Sequence, residues 1–218
     1  MAKAGPRPTA GATTRARSAE VRQALVTAAI DALREVGFAG ASAREIASRA
    51  GCSQAAVFYH FGAVTELLLA ALDEVSATRM QAYRSILDRS GSAADLVESA
   101  RSIFLADLDA GHVRVLVEMI TGGHSIPGLG PQVAARLAPW REFAETAVRS
   151  ALGRSPLARL LPAPEAAHAV VAGFLGLELL ASLDGDRSKA MALFDRARSL
   201  ARLLDVTTGL LPSPVKGR

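Results

Sequence analysis

Apolar positions recur every third or fourth residue along most of the chain and almost nowhere alternate. Val21, Leu25, Ala28, Ala29, Ala32, Leu33 and Val36 keep the 3.6-residue period of a first helix. Gly37 stands where a left-handed cap closes it. Ser42-Ala-Arg-Glu45 has the form of a capping box, with Ser42 capping a second helix and Glu45 reaching back; Ile46, Ala47 and Ala50 form its apolar face. Gly51 supplies a turn. Ser53 then caps a third helix running to His60, with Val57 and Phe61 facing inward. Beyond Gly62, the stripe Leu68, Ala71, Leu72, Val75 opens a long fourth helix toward Arg89, broken by Gly91-Ser92. Residues 93–110 and 112–121 read as helices, "TGGHSIPGLGP" (121–131) as a loop, and Pro131–Leu152 as a helix. "GRSPLARLLPAP" (153–164) is a connection, followed by helices over 165–183 and 188–211 that Asp184-Gly-Asp186 divides. The pattern therefore predicts an all-α protein.

Composition agrees with the pattern. Half of the 218 residues are apolar and only 5% are aromatic, a balance that supports a large helical core. Charge changes the picture through its placement. Residues 1–62 carry eight basic side chains (Lys3, Arg7, Arg15, Arg17, Arg22, Arg34, Arg44, Arg49) and four acidic ones (Glu20, Asp31, Glu35, Glu45), whereas the remainder carries 17 of each. The whole excess of +4 thus lies in the first quarter, which suits a polyanionic partner at that end. Residues 1–18 contain Arg and no acid; Gly5, Pro6, Pro8 and Gly11 predict a disordered basic arm there. Cys52 is the single cysteine, which rules out an internal disulfide and fits a cytoplasmic protein. No signal-type apolar run follows Met1. "HAVVAGFLGLELLASL" (168–183) is short for a bilayer span and contains Glu178, so no membrane partner is expected.

The stretch "SAREIASRAGCSQAAVFYHF" (42–61) has helix-turn-helix dimensions: two short helices about a turn containing Gly51. Its surroundings make it specific. Residues 21–75, through "AAIDALREVGFAGASAREIASRAGCSQAAVFYHFG" and then "ELLLAAL", resemble the DNA-binding domain of the tetracycline-repressor (TetR) family of bacterial regulators. Gly37-Phe38, the run Ile46, Ala47, Ala50, Gly51, and the ending Phe58-Tyr59-His60-Phe61 carry the likeness. Phe58 stands where the family usually has Tyr, and Val64 where it usually has Lys. The resemblance implies an N-terminal three-helix domain (19–64), joined by a long helix to an effector-binding and dimerisation domain (65–211), with a disordered tail at 212–218. It implies a homodimer on a palindromic DNA operator, most simply a repressor released by a small molecule.

A helix docked in the major groove turns its first side chains to base edges while its flanks grip phosphates. On that geometry Gln54 reads adenine, and Ala55 and Ala56 allow close approach to a thymine methyl. Tyr59, His60 and Ser53 meet phosphate oxygens. Arg44 matches a family position that the resemblance implies reaches DNA, a phosphate or a guanine, and Thr65 caps the fourth helix and presents amides. The plainer reading of Tyr59 and His60 is cover for the small domain's core. Phe58 reads as packing rather than contact.

The second half shows no catalytic motif and no metal-ligand spacing: His112, His124 and His168 stand far apart. No cofactor is expected. The helix 165–183 is apolar nearly all round, and 188–211 carries Leu193, Ala197, Leu200 and Leu204 on one stripe, so the two are expected to pair with their copies in a dimer. Phe104, Leu108, Met119, Trp140, Phe143 and Phe174 are the candidate lining of a largely apolar effector pocket. An alternative is a small-molecule sensing or sequestering protein whose helix pair contacts protein rather than DNA.

Overall fold

The computed structural model describes residues 10–87, 90–153 and 160–208, and every regular element among them is an α-helix. Two compact units result, divided between Glu74 and Val75.

In the first unit, α1 (Ala10–Glu35) ends at Gly37, whose φ of 73° admits the break. The single turn α2 (Gly37–Gly40) follows, then α3 (Ala43–Arg49), α4 (Gln54–Phe61) and the start of α5 (Val64–Leu87). Helix α1 begins well before residue 19, so the arm expected over 1–18 is helical from Ala10. After Pro8 no proline remains in that stretch, and its Ala and Arg residues favour helix. Residues 1–9 and 212–218 lie outside the described residues.

Leu25, Ala29, Ala32, Leu33, Ile46, Val57, Leu67 and Ala71 are fully enclosed in this unit's core. Val36, expected on that stripe, is exposed beside the glycine break. The capping box is half formed. Ser42 Oγ accepts from the Glu45 amide at 3.2 Å. The amide of Ser42 is already donated to the Gly40 carbonyl at 2.8 Å, so the Glu45 carboxylate turns instead to Arg49 at 2.7 Å.

The second unit holds the rest of α5, α6 (Ala93–Ala110), α7 (His112–Ser125), α8 (Leu129–Ala135), α9 (Ala138–Leu152), α10 (Ala163–Asp184) and α11 (Ser188–Thr208). Helix α10 packs on α9, α6 and α7, and α11 on α6. The loop expected over 121–131 is shorter: Gly122 and Gly123 continue α7, and the chain turns at 126–128 into α8. Glycine there serves close approach, since a Cβ on Gly123 would come within 3.1 Å of the Gly130 backbone. The single helix expected over 131–152 is two, α8 and α9.

The inward stripe of α11 is Ala190, Phe194, Ala201 and Asp205. The stripe expected to face a second copy lies beside it: Leu193 and Leu200 are exposed, Ala197 and Leu204 half-buried. Helix α10 is longer than expected, with 22 residues, and by length and composition alone it could cross a bilayer.

One cap ties the chain's ends of this unit together. The buried Asp205 carboxylate accepts from the Ala93 amide at 2.7 Å and the Ala94 amide at 3.1 Å. Ser92 Oγ takes the Asp95 amide at 3.1 Å. Three of the four open donors at the start of α6 are thereby met. Asp205→Ala strands two buried donors and is expected to cost about 2–3 kcal/mol, with Asp205→Asn costing less. Urea midpoints of the three proteins check this order.

Candidate nucleic-acid interface and cavity

The helix pair is built around a left-handed glycine. Gly51, at φ 63°, lets the Cys52 amide turn back to the Ala47 carbonyl at 2.9 Å, while Cys52 Sγ donates to the Ala50 carbonyl at 3.4 Å. The buried Val57 anchors α4 from its middle, which leaves the helix's beginning and its far side outward.

Most of the residues expected to meet DNA are exposed. Arg44, Ser53, Gln54, Ala55 and Tyr59 are exposed; Ala56, His60 and Thr65 are half-buried. Tyr59 is 83% exposed, a large fraction for an aromatic ring, and its edge meets the His60 ring at 5.0 Å. Ser53 occupies the N-cap position with extended backbone, yet its hydroxyl makes no cap hydrogen bond. That hydroxyl and the first amides of α4 are therefore free to meet an anion.

Three expectations are corrected. Thr65 is not a cap: α5 begins at Val64, Ala63 precedes it, and Thr65 lies in the first turn. Phe58 is 47% exposed rather than packed, because Val57 takes the inward position beside it. Phe61 is half-buried, and the Arg22 guanidinium lies 4.9 Å over its ring. The sequence pointed to Arg22 only as one of several charges. Arg49 is held at 2.6 Å by Glu35 and at 2.7 Å by Glu45, so its charge is locally matched.

The second unit contains a cavity of about 150 Å³. Trp140, Phe143 and Phe174 line it. Phe104, Leu108 and Met119 do not. Phe104 is fully buried against Phe174 and Phe194, Leu108 packs on that same cluster, and Met119 is fully buried elsewhere in the core. Side-chain size suggests all three, and a side chain that fills the core leaves no space beside it.

Sequence reasoning missed the polar wall of this cavity, Arg79 and Tyr83. Both sit on the α5 stripe, four and eight residues after Val75; a charged residue on an apolar stripe was the available signal. Asp107 Oδ2 accepts from Arg79 Nε at 2.9 Å, from Arg79 Nη2, and from Tyr83 Oη at 2.8 Å. Its Oδ1 lies 3.0 Å from His112 Nδ1. Arg79 Nη2 also donates to Glu178 Oε1 at 3.2 Å. Burial would raise the Asp107 carboxyl, but the hydrogen bonds of His112, Arg79 and Tyr83 outweigh it and hold the group below its usual value. Glu178 is fully enclosed, and its Oε2 has no partner among the described residues. Burial pushes it up to about 8, against the pull of Arg79. Arg79 itself is raised: burial disfavours its charge, but Glu178, Tyr83 and Asp107 more than compensate.

No group of three or more His, Cys, Asp or Glu able to hold a metal occurs among the described residues.

Comparison with known proteins fits this geometry. Residues 25–71 match the family model described as bacterial regulatory proteins, tetR family. A TetR-family member from Streptomyces coelicolor A3 is 25% identical, with 85% of this chain and 98% of that one covered, at a TM-score of 0.61. A TetR transcriptional regulator from Legionella pneumophila is 18% identical over 85% and 96%, at 0.63. The fatty acid degradation regulator FadR of Bacillus halodurans is 15% identical over 82% and 96%, at 0.67. No curated protein matches the chain. By class this is a helical DNA-binding transcriptional regulator. The segment bearing its helix-turn-helix belongs to the TetR family, and the fold of the whole chain is that of the family's regulators.

The raised Glu178 has a pH consequence. Between about 4.5 and about 8 the native protein keeps a proton that the unfolded chain releases, so stability falls as pH rises through that window. Glu178→Gln cannot ionise. Its urea midpoint should vary less between pH 5 and pH 8 than that of the unaltered chain, the difference amounting to on the order of a few kcal/mol.

Proposed function

We propose that the chain acts as a homodimeric repressor, binding a palindromic operator through paired helix-turn-helix units and released by a small, largely apolar effector. The observation that carries this reading is the exposed row Gln54, Ala55 and Tyr59 on α4, with Arg44 exposed on α3 and the Ser53 hydroxyl uncommitted. Gln54 at the start of α4 is the base-reading side chain, Tyr59 and His60 meet phosphates, and Ala55 and Ala56 keep the helix close to the groove floor. The exposed Arg15 and Arg17 on α1 add charge toward the same polyanion.

The dimer reading rests on α10 and α11. Leu180, Leu183, Leu200, Leu203 and Val206 are largely exposed, an apolar surface larger than scattered single residues explain. Gly173 and Gly176 have open space where a Cβ would stand, as close helix approach requires. A second copy is the occupant that fits a family of closed symmetric regulators. Two such units would engage major grooves about 34–36 Å apart, or a multiple of it. Helix α5 follows α4 in the chain and also carries Arg79 and Tyr83 of the cavity wall. It is the element through which a bound effector would shift the population between operator-competent and released forms.

The exposed Phe58 supports a second reading, in which the helix pair docks on a protein. Salt separates the two. DNA binding to the chain's own promoter region should weaken steeply between about 50 and 200 mM salt, whereas docking through Phe58 would not. Tyr59→Ala is expected to weaken matched and scrambled duplexes alike. Gln54→Ala should cost about 1–3 kcal/mol on the matched site alone. A folded dimer that binds no duplex at any salt would reject the regulator reading. Leu180→Glu with Leu203→Glu should shift the chain from dimer to monomer in sedimentation; an unchanged dimer would place the interface elsewhere.

A further inference from the structure

The cavity of the second unit is walled mostly by aromatic and aliphatic side chains, with Arg79, Tyr83 and Ser99 as its polar members. Tyr83 is its hub: its ring meets Trp140 at 5.0 Å, Phe143 at 5.7 Å and Phe174 at 6.3 Å, each edge to face. Most of the remaining wall is aliphatic, including Ile103, Leu116 and Ala147. At about 150 Å³, a space of this kind holds one benzene ring. Ring edges and faces at these separations favour an aromatic guest over an alkyl chain of equal volume.

The charged member is Arg79, whose guanidinium carbon sits 4.9 Å over the Trp140 ring. Its Nε and Nη2 are spent on Asp107 and Glu178. Its Nη1 has no partner among the described residues, and Arg79 lines the cavity. An uncommitted guanidinium N–H on the wall of a largely apolar cavity favours a guest that brings an acceptor. The charge is already matched: one guanidinium faces two carboxyl groups, Asp107 and Glu178, with His112 beyond Asp107. A guest carboxylate would add another anion to that cluster at a desolvation cost. A neutral carbonyl oxygen satisfies Nη1 and adds no charge.

We infer that the ligand is an uncharged single-ring aromatic bearing one hydrogen-bond acceptor, an aryl ketone in the simplest case, with its ring against Tyr83, Trp140, Phe143 and Phe174 and its carbonyl oxygen on Arg79 Nη1. This rests on reading the second unit as the effector-binding part of a regulator, and it names the effector's chemistry.

Titration calorimetry on the full chain tests it with three probes of nearly one shape: acetophenone, α-methylstyrene (a CH₂ group in place of the oxygen) and benzoate. Acetophenone is expected to bind at least tenfold more tightly than either of the others. Affinities for acetophenone and α-methylstyrene within threefold of each other, tighter binding of benzoate, or no heat from any probe up to its solubility would each overturn the inference. Arg79→Lys keeps a cation beside Asp107 but removes the forked Nη1, and should abolish the preference for the ketone. Ala147→Phe fills the cavity; with helicity retained by circular dichroism it should bind none of the probes, and undiminished binding places the ligand elsewhere. Operator binding is scored separately on ligand-free protein. A chain that binds its operator but no aryl ketone rejects this ligand class alone, whereas a chain that binds no duplex rejects the regulator reading.

Discussion

A single buried cation organises the second unit. Arg79 comes from α5, Asp107 from α6 and Glu178 from α10, so one guanidinium fixes three helices that are far apart in the chain. Such a cluster adds little net stability over a well-packed apolar one, because each charge must first leave water. What it adds is uniqueness. An apolar core of Ala and Leu could settle in several registers, but a guanidinium with two carboxyl partners has one. The same group also forms the cavity's polar wall, so the device that sets the helix register also sets the chemistry of the space beside it.

The first unit solves a different problem. The surface proposed to meet a nucleic acid must be rigid underneath and bare on top. Val57, fully enclosed, holds α4 from below. Gly51 sets the turn, and Arg49 is occupied by Glu35 and Glu45. Small residues then stand where bulk would keep the helix off its partner. Tyr59 lies exposed, which suits the phosphate contact proposed for it.

Much of this was legible in the sequence because the relevant signals are local. The helix pair needs only a glycine turn, two cap serines and a short apolar face, all within twenty residues or so. Errors arose where a distant group competes. Glu45 was expected to cap Ser42, but Arg49 lay within reach and Gly40 had taken the amide. Phe104 and Met119 were chosen for size, whereas a cavity is defined by what is missing beside a side chain. Arg79 drew no attention because its partners stand 28 and 99 residues away. On α11 the leucines mark the stripe expected to meet a second copy, but the inward face, Asp205 included, is set by α6 more than a hundred residues earlier. Which face of a helix turns inward is invisible until its partner is known.

The bond from Asp205 to the amides of Ala93 and Ala94 spans more than a hundred residues, 112 in the longer case. During synthesis, α6 emerges long before the helix that completes its first turn. Until the ribosome has released residue 205, those amides face water and the helix start is free to fray. The second unit therefore reaches its final form only after residue 205 has emerged, whereas the first can fold earlier in translation.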